Sequence, residues 1–155
     1  MLDQVRTEAL IRMAQEEAAT ALALGNPPFG AILTDLDGNV ILSAHNTQYS
    51  DSDPTAHSEI NALRTVGRLR GTIFFDDLVL FTNASPCSMC LSAAIKAHIT
   101  RFYFGAPAEG HMDPWLPAEE VAARSSLKIE LHGGILAEEC RAQIAAARDV
   151  IRPLD

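Results

Sequence analysis

Apolar residues first recur at helical spacing. Ile11, Ala14, Ala18 and Leu22 fall on one face, and Gly25 follows as a natural stop, so the first 25 residues are expected to form a helix. Asn26-Pro27-Pro28 breaks that period. Residues 29–34 and 40–45 then read as strands, and Asp35-Leu36-Asp37-Gly38-Asn39 between them is hairpin turn chemistry. A polar loop over 46–52 leads to Asp53, which can cap a helix with Pro54 at its first position, running to about residue 69. The apolar run 78–82 predicts a buried strand. Ser85-Pro86 repeats the cap-then-proline start for a helix to about residue 98, and 101–105 predicts another strand. Residues 106–117 carry the loop signal of Pro107, Gly110, Pro114 and Pro117. A short helix over 118–124, a fifth strand over 127–131 and a last helix over 137–149 complete the pattern.

Helices that alternate with strands after an opening hairpin imply an α/β protein, a three-layer α/β/α sandwich on a mixed five-stranded sheet. No internal repeat or linker interrupts the pattern, so one domain over 1–155 is expected. At 155 residues and 48% hydrophobic content the chain can bury a sizeable core, and a disordered chain is excluded. No apolar stretch approaches ~18 residues, so no membrane span is expected. The start lacks the basic and apolar regions of an export signal, and three cysteines cannot all pair within the chain; both suggest a reducing cytoplasm.

Twelve Lys and Arg stand against twenty Asp and Glu, a net charge of −8. Nucleic-acid binders normally present a basic surface, because phosphate neutralisation dominates their affinity. The one tight basic cluster, Arg64, Arg68 and Arg70, is read as a solvated helix end. A small-molecule partner is favoured, and nucleic acid is not.

Two segments carry chemistry, each at an expected helix start: Thr55-Ala56-His57-Ser58-Glu59 and Ser85-Pro86-Cys87-Ser88-Met89-Cys90. Cys87 and Cys90 share a helix face, and a helix N-terminus favours the thiolate that binds metal. Two thiolates and an imidazole suit Zn2+ and leave one tetrahedral position open for water, the mark of a catalytic site. Glu59 could then shuttle a proton from that water to a leaving nitrogen. Spacing alone does not bring His57 and Glu59 together, since residues two apart on a helix point about 200° apart. A redox Cys-x-x-Cys pair or a structural zinc site are the alternatives. The first leaves His57 and Glu59 unexplained, and the second needs a fourth ligand, for which Cys140 among alanines is a poor candidate.

At these residues the chain resembles the cytidine deaminase-like superfamily, whose zinc deaminase signature is His-x-Glu followed by Pro-Cys-x-x-Cys. Pro28-Phe29-Gly30-Ala31, His45-Asn46 and Asp53-Pro54-Thr55-Ala56 extend the resemblance across nearly the whole chain. It implies strand order 2-1-3-4-5, with strands four and five parallel, and a homodimer. It also implies zinc held by His57, Cys87 and Cys90, Glu59 as proton shuttle, and Asn46 hydrogen-bonded to the substrate ring. Phe29, Ser58 and Ser85 are the further substrate contacts so implied. The expected activity is hydrolytic deamination of a free nucleobase or nucleoside of guanine or cytosine type. Trp115 and Asp113, in the loop after the fourth strand, are candidates to cover the base and to accept from its N–H edge, though Trp115 could equally pack against core or partner. A tRNA adenosine deaminase, a deaminase of a non-natural heterocycle and an inactive zinc scaffold are the rival readings. The tRNA enzymes carry Glu where this chain has Ser85.

Overall fold

The computed structural model describes residues 2–109 and 116–151. Helix α1 (Gln4–Ala23) opens the chain, with Asp3 as its N-cap accepting from the Arg6 N–H. Strands β1 (Gly30–Asp35) and β2 (Val40–His45) form the expected hairpin. Its turn is closed by the Asp35 carboxylate, which accepts from the Asp37 and Asn39 N–H groups. Next come α2 (Gln48–Asp51), α3 (Ser58–Arg70), β3 (Leu78–Ala84), α4 (Ser88–Lys96) and β4 (Arg101–Ala106). Then follow α5 (Ala118–Ala123), β5 (Glu130–His132), α6 (Ala137–Ala145) and a 3-10 turn, η1 (Arg148–Val150).

The sheet order is β2-β1-β3-β4-β5. β1 pairs antiparallel with β2 and β3, whereas β3–β4 and β4–β5 are parallel, because α4 and α5 provide the crossovers. Side chains alternate between two cores. Ala31, Leu33, Leu78, Leu80 and Phe102 face α3, α4 and α5 through Ala62, Val66, Leu91, Ala94 and Ala118. Ile32, Val79, Phe81 and Tyr103 face α1 and α6 through Leu10, Ile11, Ala14 and Cys140. The three layers follow from that period-two alternation. No helix among the described residues is long and apolar enough to cross a membrane.

Several boundaries differ from the sequence pattern. The loop 46–52 contains the single turn α2. The third helix starts at Ser58 rather than Pro54, because Asp53 accepts from the Thr55 N–H and hydroxyl and closes a separate turn. The fourth starts at Ser88 rather than Pro86, since the Ser85 N–H still bonds to Ala106 O at the end of the sheet. β5 pairs only over 130–132, opposite Arg101, Phe102 and Tyr103. The last helix ends at Ala145, short of 149.

Two glycines set how closely the layers approach. A Cβ on Gly30 would lie 2.7 Å from Glu17 Cβ and 2.8 Å from the Ala18 N, so α1 sits directly on the start of β1. A Cβ on Gly105 would collide with Cys140 Sγ and lie 2.7 Å from Asn83 O, so α6 rests on β4.

Candidate active site

The late starts of α3 and α4 create the site. His57 and Cys87 are not on the helices; each is an N-cap in extended conformation, with ψ of 156° and 168°. Their side chains leave the chain ahead of the first turn, where they can meet. Glu59 is the second residue of α3, so the 200° separation expected of two helical residues does not apply to His57 and Glu59. Both border one cavity.

The His57 Nδ1 lies 3.5 Å from Cys87 Sγ and 3.4 Å from Cys90 Sγ. One donor atom from each of the three residues falls within 4.8 Å of the others. Without a metal, the Cys90 thiol and then His57 hold the Cys87 thiolate, bringing its pKa down to about 5. Cys90 is correspondingly pushed up, by its hydrogen bond to Cys87 and by burial. A cation bound between the sulfurs removes that rivalry, since a coordinated thiol is deprotonated outright. Two thiolates and a neutral imidazole nitrogen fit zinc, and three ligands leave its fourth position open. Burial, followed by the Cys87 charge, raises the Glu59 pKa above the usual carboxylate range, and the Ser58 hydroxyl donates to Glu59 Oε2 at 2.9 Å.

The cavity lies beyond the carboxyl ends of the parallel strands β3 and β4, where open α/β sheets bind ligands. Thr82, Asn83, Ala84 and Ser85 border it from β3 and the residue that follows, and Phe29 from the loop before β1. Gln48 of α2, Pro107 to Glu109 after β4, and Arg141 and Ile144 of α6 complete the wall. The Ser85 hydroxyl is buried and lacks a hydrogen-bond partner among the described residues.

Of the residues singled out from sequence, His57, Ser58, Glu59, Phe29, Ser85 and Cys87 border the cavity. Cys90 lies behind them, fully buried. Asn46 is also buried and stands one step behind the wall. Its N–H donates to Phe29 O at 3.0 Å and, among the described residues, its side chain bonds only to Gln48. Asp113 and Trp115 lie outside the described residues.

Gln48, Asn83 and Arg141 were not anticipated. Asn83 is fully buried and works as a clamp. Its Oδ1 accepts from the Gly30 N–H at 3.0 Å and its Nδ2 donates to Pro28 O at 3.0 Å, so the backbone on both sides of Phe29 is held. Nδ2 also approaches Gln143 Oε1 of α6 at 3.4 Å. A lone asparagine ending an apolar strand was the available signal; Gln48 in a polar loop offered none.

Residues 4–106 match the family model described as the cytidine and deoxycytidylate deaminase zinc-binding region. The chain is 34% identical over 143 residues to a tRNA-specific adenosine deaminase of Haemophilus influenzae, covering 89% of this chain and 80% of that protein. It is 30% identical over 141 residues to a probable cytosine deaminase of Schizosaccharomyces pombe, covering 84% and 85%. Its fold is similar to that of guanine deaminase from Nitrosomonas europaea, with a TM-score of 0.79 at 21% identity, over 92% of this chain and 84% of that one.

Proposed function

The chain belongs to the cytidine and deoxycytidylate deaminase zinc-binding family, and from that premise we propose that it deaminates a free nucleobase or nucleoside of guanine or cytosine type, releasing ammonia. It is a zinc-dependent hydrolytic deaminase; the substrate class and the residue roles are the proposal. One observation carries it: a buried carboxylate, Glu59, shares a cavity with His57 and Cys87, which with Cys90 make a three-donor set.

His57, Cys87 and Cys90 hold the zinc. When bound there, it supplies a water activated near neutral pH. Glu59 takes one proton from the attacking water as its oxygen adds to the ring carbon bearing the amino group. It delivers that proton to the adjacent ring nitrogen. A second proton from the added oxygen then passes through Glu59 to the departing amine, so a C–O double bond forms as the C–N bond breaks and ammonia leaves. Burial suits Glu59 to hold a proton between these steps. Ser58 fixes the carboxylate, Phe29 lies against the ring face and Ser85 meets the ring from just after β3. Asn46 acts on the ring through Gln48.

The net charge of −8 supports a small substrate over an RNA stem-loop. Cysteines in no disulfide suit a cytoplasmic enzyme, and a homodimer is proposed from the superfamily resemblance alone. The test is ammonia release by zinc-loaded protein from guanine, cytosine, adenine, their nucleosides and a tRNA anticodon stem-loop. Turnover of guanine or cytosine, or of its nucleoside, is expected. Turnover of the stem-loop alone overturns the substrate reading in favour of a tRNA adenosine deaminase.

A further inference from the structure

We infer that Gln48 is a specificity-determining residue that selects the free base over its nucleoside. This rests on the deaminase reading of the same cavity. The argument starts from a backbone group that cannot be turned around. The Gln48 N–H donates to Asn46 Oδ1 at 2.9 Å, which fixes which end of the Asn46 amide is oxygen. Asn46 Nδ2 then donates to Gln48 Oε1 at 2.7 Å, which fixes the Gln48 amide in turn. Gln48 Nε2 spends one N–H on Pro54 O at 3.1 Å. A primary amide has two N–H donors and two acceptor lone pairs. One of each therefore remains among the described residues, on a half-buried side chain in the wall that also holds His57 and Glu59.

The carrier of that amide is held in place. Asn26, fully buried, accepts from the Tyr49 and Ser50 N–H groups at 3.0 Å each and donates to Ser50 Oγ at 2.7 Å. One donor beside one acceptor matches a ring edge on which an N–H adjoins an acceptor, through two parallel hydrogen bonds. In cytosine that edge is N1–H with the C2 carbonyl; in guanine the N9–H alone meets the Gln48 oxygen, because N3 takes the proton from Glu59. Both N–H groups are the positions that carry the sugar in nucleosides. Ribosylation deletes the donor and leaves the Gln48 oxygen unpaired, which a polar site rejects strongly.

The test compares kcat and KM for cytosine against cytidine and guanine against guanosine. It uses the zinc-loaded wild type, Gln48→Met and Gln48→Glu, with zinc content and thermal midpoint recorded for each. The wild type is expected to favour at least one free base by about 100-fold or more. Gln48→Met is expected to raise KM for that base ~10–100-fold, leave kcat within about threefold, and lower the preference for the base over its nucleoside. Gln48→Glu keeps the acceptor but loses the donor, and is expected to fall between. An unchanged base-to-nucleoside ratio in both variants, or a wild type that prefers nucleosides, overturns the role of Gln48 and leaves the deaminase reading standing. Silence of the wild type on all four compounds overturns the substrate reading, and this inference with it.

Discussion

Asn83 occupies a position where a side chain does the work of a strand neighbour. Its amide satisfies the Gly30 N–H and the Pro28 carbonyl, groups that no strand pairs there. Asn83→Ala strands both in a buried place, so a loss of ~1–3 kcal/mol is expected in denaturant unfolding. Unchanged stability would mean that water or a shifted backbone replaces the amide. At this scale the sequence was informative where chemistry restricts residue choice. Two thiols, an imidazole and a carboxylate at His57, Glu59, Cys87 and Cys90 have few uses together, and the structure gathers them. Amides carry no such restriction. Gln48 and Asn83 are as common in loops and strand ends as anywhere, so their place on the cavity wall could be known only from the fold.

At the scale of elements, the hydrophobic period located the first four strands, and the two helices whose starts matter most were displaced by local hydrogen bonds. Asp53 spends its carboxylate on Thr55 and delays α3; Ser85 stays in the sheet through Ala106 and delays α4. Those delays of four and two residues turn His57 and Cys87 from helix residues into N-caps, which is why spacing could not show the convergence at the site. The fifth strand was expected to start three residues early, because Leu127 and Ile129 precede the residues that β4 pairs. Packing between elements makes its own prediction. Gly105→Ala pushes α6 off β4 and is expected to cost ~1–3 kcal/mol. Cys140→Ala in the same chain is expected to restore part of that loss, because the Sγ is the nearest obstacle while Asn83 O, at 2.7 Å, remains. Full additivity of the two changes in thermal unfolding would contradict this packing account.

For the whole molecule, the three donors come from the starts of two different helices, and those helices lie on the same face of the sheet. A bound zinc therefore ties α3 to α4 and stabilises the fold by binding the native state more tightly than the unfolded chain. One zinc per chain is expected, and its removal by a chelator is expected to lower the thermal midpoint by several degrees; an unchanged midpoint would separate the metal from the fold. The three layers and the zinc chemistry were legible in the sequence pattern and in the residue types at His57, Cys87 and Cys90, whereas the sheet order was legible only through the superfamily resemblance. The cavity wall formed by α6 was not, because the last helix reveals its neighbours only once packed. The most direct measurement is ammonia release from guanine and cytosine by zinc-loaded wild type and Glu59→Gln, with zinc content determined on the same samples. The account predicts turnover by the wild type and a ~10²–10⁴-fold lower rate for the variant at equal zinc content. A Glu59→Gln protein that keeps its zinc and deaminates at the wild-type rate would contradict it.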